Sequence, residues 1–392
     1  MRITYLIWTI VVISFVSCTT QNNTETSLTR FNIEDTNKTS KVRLSDLNVK
    51  SIQYVPLETD TNFLMSDINK LVTTDSTLVI FDFNTNFFHF DLNGNFINKI
   101  GTIGKGPQEY QFAFDFTIDH KKKQLLIPIM NESRLMIYSL NGKFIKSIPC
   151  PKYTRNLFHT DEGIICRCDY YGGKYKGENS IFLIDDKGNI IKRFSDKYKY
   201  INTSFTSGFR EEFLIYNHHE NVYTKEIYSD TVFVFKNLKF EPAFILDHGG
   251  KTISVEAREK IDNFDSFAAI ADQHSKEINM LLWGDYVFSE FSFQGSYYNF
   301  FGSFHNKDFN IITKDLIIND IDGGPGILLK TTIAKNTAIS WVNAFDLKAH
   351  VASDAFKNST PLFPEKKKEL ERLANSLDQN DNPVLMLVKL QE

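Results

Sequence analysis

A hairpin pattern occurs three times in this chain at nearly even spacing. In each copy, an apolar strand leads into a short turn containing glycine, and a second strand with alternating polar and apolar residues follows. The copies are FFHFDLNGNFINKI (87–100), LMIYSLNGKFIKSI (135–148) and IFLIDDKGNIIKRF (181–194), and their turn glycines are 48 and 46 residues apart. Glycine supplies the positive φ that tight hairpin turns need. A fourth copy is predicted at VFVFKNLKFEPAFI (232–245), where Asn237 stands 49 residues after Gly188 and no turn glycine is present.

A period of 46–49 residues with several strands per unit is typical of a β-propeller. Further strand–turn–strand segments precede the three hairpins, at residues 71–83, 116–130 and 157–171. Each unit therefore contains four short strands, and we predict an all-β fold. The chain has 35 Phe and is 14% aromatic. Because stacked blades bury their facing surfaces, we interpret most of these Phe as packing between blades.

Composition excludes several classes of protein. The chain is 42% hydrophobic with mixed charges, which is not typical of disorder. The formal net charge of −4 gives no excess of Lys and Arg to neutralise phosphates, so we expect no nucleic-acid partner. Only four Cys are present, too few for a small disulfide scaffold.

Four segments resemble a known family. They are VPLE (55–58), IGTIGKGPQEY (100–110), NDIDGGPGILL (319–329) and the C-terminal stretch from Phe363 to Leu390. In this order they are similar to segments of the six-bladed β-propeller lipoproteins of Gram-negative bacteria, whose blades are related to NHL repeats. The resemblance covers most of residues 45–390 and implies a six-bladed propeller. It also implies that the glycine-rich segment has a structural role.

The N-terminus predicts export and lipidation. Residues 1–17 have a signal-peptide pattern, with Arg2 followed by an apolar run too short to span a membrane. The run ends in Phe15-Val16-Ser17-Cys18, which resembles a bacterial lipobox, so we predict a lipid anchor on Cys18; the alternative is a buried cysteine in a plain signal or anchor. The polar residues 18–42 predict a flexible tether, and 43–392 a single propeller domain. We expect a location in the cell envelope, at the outer membrane, with the periplasmic face favoured because no acidic cluster follows Cys18.

The C-terminal part predicts helices and a closing strand. Pro364 suits a helix start, and an apolar stripe at i, i+3, i+4 and i+7 predicts an amphipathic helix over 364–378. VLMLVKL (384–390) predicts a buried strand, which we expect to close the ring together with SIQYVPL (51–57). A second helix is predicted within 344–356, and residues 254–280 suggest a helical or loop insertion in blade four or five.

The candidate ligand-binding residues are few: Glu109, Tyr110, His218, His219 and Asp322. The first two end a glycine-rich segment without the Lys-Ser/Thr of a phosphate loop, so a turn between blades is favoured there. The histidines are adjacent on a strand and point to opposite faces, which favours a solvated turn over a metal site. Asp322 lacks the spacing of a calcium loop. We expect no metal and no cofactor.

Cysteine and tryptophan offer two further candidates. Cys150, Cys166 and Cys168 favour buried free thiols on strands, with a bridge from Cys150 to one of the others as the alternative. Trp283 and Trp341 could stack on a sugar ring, but their apolar surroundings favour core positions.

Two functional hypotheses follow. The first is a non-enzymatic binding or scaffolding module for a glycan, a peptide or an envelope protein. The second is a glycan-active propeller enzyme, a lyase or hydrolase, with its site at one mouth of the central channel. The fold hosts both roles, so the lining of the channel discriminates between them. Two carboxylates or a Tyr–His–Arg group would favour the enzyme.

Overall fold

A computed structural model describes residues 28–61, 63–168, 179–199, 209, 212–218 and 221–391. The strands form six sheets, five of four strands and one of five. These sheets are the blades of a propeller, so the predicted all-β six-bladed fold is confirmed.

The blades follow in chain order after two N-terminal strands, β1 (Thr29–Asn32) and β2 (Val49–Pro56). Blade one contains β3 (Ile68–Thr73), β4 (Thr77–Asp82), β5 (Phe87–Asp91) and β6 (Phe96–Lys99). Blade two contains β7 (Thr117–Asp119), β8 (Gln124–Ile129), β9 (Arg134–Ser139) and β10 (Phe144–Pro149). Blade three contains β11 (Thr154–Thr160), β12 (Gly163–Cys168), β13 (Ile181–Ile184) and β14 (Ile190–Phe194).

The remaining blades include additions from the N-terminus. Blade four contains β15 (Phe213–His218), β16 (Asn221–Glu226), β17 (Thr231–Lys236) and β18 (Lys239–Asp247), with β1 as its fifth strand. Blade five contains β19 (Lys276–Trp283), β20 (Tyr286–Phe293), β21 (Ser296–Ser303) and β22 (Asn310–Thr313). Blade six contains β23 (Thr331–Ala334), β24 (Thr337–Val342), β25 (Val384–Leu390) and β2.

Five α-helices of the described residues lie outside the blades. They are α1 (Val255–Glu259), α2 (Phe264–Gln273), α3 (Ala344–Ala352), α4 (Asp354–Asn358) and α5 (Pro364–Ser376). The first two lie between blades four and five, and β19 begins at Lys276, so the predicted insertion ends earlier than 280. The C-terminal helix is confirmed and packs with α3 and α4 through Leu347, Phe356 and Leu370. None of the helices in the described part of the chain has the length and apolar character needed to span a membrane.

Blade six closes the ring. Its outermost strand β2 pairs antiparallel with β25, from Val49 opposite Leu390 to Pro56 opposite Val384. The second strand, β2, is thus bonded to the last described strand, β25, as expected for the segments 51–57 and 384–390. This pairing satisfies backbone groups that would otherwise form a free edge.

The interior consists of apolar layers between neighbouring blades. Strand residues alternate between the two sides of a blade, so β4 places Leu78 and Ile80 against blade six, and Val79 and Phe81 against blade two. A separate buried cluster fills each of the six interfaces between blades. Many of the Phe side chains lie in these layers, which agrees with the packing role expected from the sequence.

The hairpin turns explain the missing fourth glycine. Gly94, Gly142 and Gly188 have φ of 86–89°, and a Cβ at Gly94 would overlap the Pro56 carbonyl oxygen. In blade four the turn is two residues long, and Asn237 and Leu238 adopt φ of 50° and 59°. Two left-handed residues are what a type I′ turn requires. Asn tolerates this conformation well, so the hairpin forms without glycine.

The segment 28–44, which we call the N-terminal strap, corrects the predicted tether. Its strand β1 pairs parallel with β18, and isolated bridges then join Thr39 to Ile312 and Arg43 to Ile318. The flexible tether predicted over 18–42 is therefore wrong from residue 28 onward. The physical reason is that Phe31, Ile33 and Val42 are buried in the blades although most residues around them are polar. Residues 18–27 lie outside the described residues.

Phe31 fixes the strap to two blades. Its ring is 2% exposed and meets Phe244 at 5.9 Å and Phe304 at 5.0 Å, both edge-on. Gly302 makes room for it, since a Cβ there would overlap the Phe31 ring. The strap thus joins the packing between blades four and five.

We expect Phe31→Ala to lower the free energy of unfolding by about 3–5 kcal/mol, because it leaves a cavity between blades four and five. Arg30→Ala is the matched control: Arg30 lies beside it on β1, and its ion pair with Asp247 is exposed enough to cost at most about 1 kcal/mol. Urea unfolding midpoints measure both. Equal midpoints for the two variants would show that the strap does not stabilise the ring.

Candidate functional site

A central cavity of about 550 Å³ is the candidate site. The first strand of every blade contributes to its lining, so β3, β7, β11, β15, β19 and β23 are the innermost strands. The turn between first and second strands lies at one end of the ring, which we call the turn face. Thr74, Asp75 and His120 from such turns also line the cavity, which therefore extends to the turn face. A funnel built from all six blades is a common place for a ligand.

Lys70 on β3 is one of two lysines in the lining. Its Nζ donates to Asp115 Oδ1 at 2.6 Å and to the Phe116 carbonyl at 2.8 Å. It also lies 5.2 and 5.3 Å from the ring centres of Phe116 and Phe158. Asp115 further accepts from the Leu157 N–H at 3.1 Å. These bonds join blades one, two and three, so Lys70 has a structural role at the cavity wall.

Lys330, directly before β23, is the second lysine. Its N–H donates to the Ile339 carbonyl at 2.9 Å, and its carbonyl accepts from Asn279 Nδ2 at 3.3 Å. The backbone is therefore fixed from blades five and six. The half-buried ammonium makes no hydrogen bond or ion pair with the described residues. Burial raises the pKa of Glu290 on β20, and Lys330 opposes this rise without pairing with it.

Aromatic rings supply the apolar part of the lining. Trp341 on β24 is half-buried and lines the cavity, while Trp283 is fully buried. Tyr216 on β15 stacks on Tyr223 at 5.2 Å, and its buried hydroxyl has no partner in the described part of the chain. Burial raises the pKa of Tyr216 well above its ordinary value, so this phenol is a poor base.

The five sequence-based candidates separate in space. His218 lines the cavity at the end of β15, and His219 lies outside the described residues. Glu109 accepts from the Gly106 N–H at 2.8 Å and stabilises its own turn. Tyr110 is 2% exposed between blades one and two and donates to the Thr85 carbonyl. Asp322 is buried and accepts from Tyr54, Asn319 and Gly324.

Neither lysine of the cavity was singled out from the sequence, and Trp341 was placed elsewhere. Lys70 and Lys330 sit in separate blades, and nothing in their order along the chain shows that they face one channel. Trp341 was expected in the core. It is half-buried, so one part of its side chain packs against the layer between blades six and one and another part lines the cavity. The usable signal was Lys70 in the middle of the strand INKLVT (68–73), because a charged side chain within a strand of a packed sheet needs a partner or solvent.

The three described cysteines are buried and form no disulfide bond. Cys150, Cys166 and Cys168 share the layer between blades two and three. This confirms the favoured interpretation over a Cys150 bridge. Burial raises the pKa of Cys150 to about 12, so its thiol is unreactive at neutral pH. Among the described residues, no group of three His, Cys, Asp or Glu side chains is arranged to hold a metal ion.

A buried ionic group lies between blades four and five, away from the cavity lining. Glu277 bonds Lys225 Nζ at 2.7 Å and His248 Nε2 at 2.5 Å, and all three side chains are at most 2% exposed. Burial alone would raise the pKa of Glu277, but Lys225 and His248 together outweigh it and hold the pKa well below its ordinary value. The group is closed to solvent, so we assign it a structural role.

Comparison with known proteins gives a family and a fold. Residues 28–389 match the family model described as a domain of unknown function, DUF4934. A candidate exported protein from Bacteroides fragilis NCTC 9343 has a similar structure, with 16% identity, a TM-score of 0.70, and coverage of 93% of this chain and 99% of that one. A DUF4221 member from Bacteroides vulgatus ATCC 8482 follows with 12% identity, a TM-score of 0.55, and coverage of 88% and 97%. No curated protein matches this sequence.

The buried ionic group makes stability depend on pH. We expect Glu277→Gln to cost about 3–5 kcal/mol at pH 7, because it leaves the Lys225 charge buried without its counter-charge. The unfolded chain protonates this carboxyl below about pH 4.3, whereas the folded chain keeps it charged to lower pH. The stabilisation is therefore present above that pH and is lost progressively as the pH falls below it. The difference in the free energy of unfolding between the wild type and Glu277→Gln should therefore become smaller from pH 7 to pH 4 and pH 3. Urea titrations at these three pH values measure it.

Glu369→Gln is the control for this experiment, since Glu369 pairs with Lys366 on the exposed side of α5. We expect its unfolding midpoint to follow the wild type at every pH. A Glu277→Gln variant as stable as the wild type at pH 7 would contradict a structural role for the buried group.

Proposed function

Because this chain belongs to the DUF4934 family and its own propeller encloses a central cavity, we propose that it is a non-enzymatic binding protein of the cell envelope. Its ligand, a glycan or a peptide, enters the central cavity, and an envelope protein partner is the alternative occupant of the ring. The carrying observation is that all six innermost strands line one cavity of about 550 Å³, a volume within the range of small-molecule sites.

The composition of the lining favours binding over catalysis. A glycosidase needs two carboxyl groups on either side of the scissile bond. Within the described lining, Asp75 is the one carboxylate, and it lies at the turn face. The remaining polar groups are hydroxyls, amides, two histidines and two lysines. Hydroxyl and amide groups of this kind suit the recognition of a polar ligand.

A lyase is also less well supported than binding. Such an enzyme would use a basic tyrosine with a histidine, and Tyr216 and His218 do share one face of β15. Burial raises the pKa of Tyr216, which disfavours the phenolate. The described lining contains no arginine to stabilise an anionic intermediate. The lining therefore supports a binding protein better than an enzyme.

The proposed location follows from the N-terminal motif and one structural neighbour. Ser17-Cys18 after an apolar run supports lipidation of Cys18 and an outer-membrane anchor, with the periplasmic side favoured. The neighbour from Bacteroides fragilis is itself described as a candidate exported protein. That the protein is a lipoprotein with NHL-like blades is part of the same proposal, and the sequence motifs support it.

The cavity can be tested with a variant that fills it. Asn217 is exposed on β15 and lines the cavity, so Asn217→Trp should occupy the space without removing a buried contact. We expect some glycans or peptides to raise the melting temperature of the full-length chain by several degrees at saturating concentration. The same ligands should leave Asn217→Trp unchanged. Ser51→Trp, on the exposed outer strand of blade six, should respond like the wild type.

Two results would contradict this site. Equal shifts in Asn217→Trp and in the wild type would place the ligand elsewhere on the molecule. The absence of any shift across the glycan and peptide panels would reject a small ligand.

The anchor has its own test. We expect Cys18→Ala to move the protein from the membrane fraction to the soluble fraction of cells, because the acyl chains would no longer be attached. Cys150→Ala is the control, since Cys150 is buried between blades two and three. The readout is immunoblotting of fractionated cells. Membrane association of Cys18→Ala equal to that of the wild type would reject the lipid anchor.

A further inference from the structure

The two lysines of the central cavity differ in how their charges are satisfied. Lys70 is held by Asp115 and the Phe116 carbonyl at hydrogen-bonding distance. Lys330 makes no such contact with the described residues, although it is half-buried in the same lining. A charged group partly removed from water is costly unless something compensates it. The Lys330 ammonium therefore offers an unused binding group inside the cavity.

The position of Lys330 is fixed in advance of any ligand. Its N–H is bonded to Ile339 in blade six, and its carbonyl accepts from Asn279 in blade five. The Asn279 Oδ1 in turn accepts from the Met280 N–H at 2.9 Å, so the Asn279 amide is oriented at both ends. The backbone of Lys330 is thus held at both its N–H and its carbonyl. A fixed backbone lowers the entropy cost of binding at this point.

The acids around Lys330 leave its charge accessible. Glu290 lies on β20 opposite Asn279, and it feels the charge of Lys330 without forming an ion pair with it. Asp75 lies in the turn between β3 and β4, at the turn face of the ring. Asp115 is engaged by Lys70. A ligand anion can thus reach Lys330 without displacing a bonded partner.

The neighbouring side chains indicate the rest of the ligand. Thr331 and Thr332 follow Lys330 along the lining and supply hydroxyl groups. Trp341 offers part of an aromatic surface on which the apolar face of a sugar ring can pack. Phosphate and sulfate are commonly held by the paired donors of arginine, and the described lining has none. A single ammonium matches a single carboxylate.

We propose, resting on the proposed binding function, that the central cavity takes an acidic glycan and that Lys330 binds the carboxylate of one of its uronic acid units. Trp341 packs on the sugar ring, and the threonine hydroxyls bond its hydroxyl groups. Lys70 holds the cavity wall in place and does not bind the ligand.

The test is isothermal titration calorimetry on the full-length chain in detergent. The probes are trisaccharides of galacturonate, mannuronate and glucuronate, each with its neutral counterpart, and triglutamate as an acidic peptide. We expect at least one uronate to bind about tenfold or more tightly than its neutral counterpart. Raising the salt concentration to about 0.5 M should weaken the uronate and leave the neutral sugar unchanged.

The variants assign the preference to one side chain. Lys330→Met should remove the preference for the uronate while keeping weak binding of the neutral sugar, and Lys330→Arg should restore the preference. Lys335→Met, on the exposed turn between β23 and β24, should behave like the wild type. Melting temperatures of all variants, measured without ligand, show whether each one is folded.

The outcomes separate this inference from the proposed function. A sugar that binds with the same affinity to the wild type and to a folded Lys330→Met would overturn the role of Lys330 and leave a binding cavity in place. If triglutamate binds and none of the sugars does, the proposal of a glycan ligand is rejected, while the proposed binding function is retained. If no probe binds the wild type, the acidic glycan is rejected. If the glycans and peptides of the melting-temperature test also fail to bind, the proposed binding function is rejected as well.

Discussion

The structure depends on the burial of each blade between two neighbours. The middle strands of a blade have an apolar layer on both sides, as β4 shows with Ile80 facing blade six and Phe81 facing blade two. No blade of this kind can bury both faces alone, so six sheets are stable only as a closed ring. Closure then makes the pairing of β2 with β25 necessary, because an open ring would expose one complete layer to water.

The central cavity follows from the same constraint. Wedge-shaped layers fill the space between blades but leave the axis open, where the innermost strands are too far apart to pack. Polar residues can occupy these strands because solvent reaches them, and they include Lys70, Lys330 and Asn279. The ionic group of Glu277 differs from these axial residues. Glu277 and its partners Lys225 and His248 are buried in the layer between two blades, where they bond to one another. Exposure along the axis makes a residue accessible to a ligand, although Lys70 shows that a residue on the axis can also serve the fold.

The repeat made the fold predictable. Gly94, Gly142 and Gly188 recur because each outer hairpin needs a residue with positive φ, and Pro364 begins the predicted helix. The strap was missed because Phe31 and Val42 are isolated among polar residues, so composition alone indicated a tether. Their burial arises from contacts with strands more than 200 residues away, such as the pairing of Phe31 with Leu246.

The candidate site was harder to predict than the fold. Ring geometry brings Lys330 and Lys70 into the lining of one cavity, and no local pattern marks either as facing the axis. Of the residues chosen from the sequence, His218 lies in the cavity, whereas Glu109 and Tyr110 belong to a turn and a layer between blades. The hairpin motifs indicated the fold because their turns are required for the blades to form. For the same reason they mark structure more than ligand contacts.

The direction of β1 limits where the ring can be held. Since β1 runs parallel to β18, which leads away from the turn face, β1 begins at blade four on the side of that face. If Cys18 carries lipid, the ten residues from 18 to 28 span at most about 35 Å when fully extended. The rim of blade four would then stay within that height of the bilayer surface. A ligand approaching the turn-face mouth would share this space with lipid headgroups, so long polymers would have to enter as free chain ends.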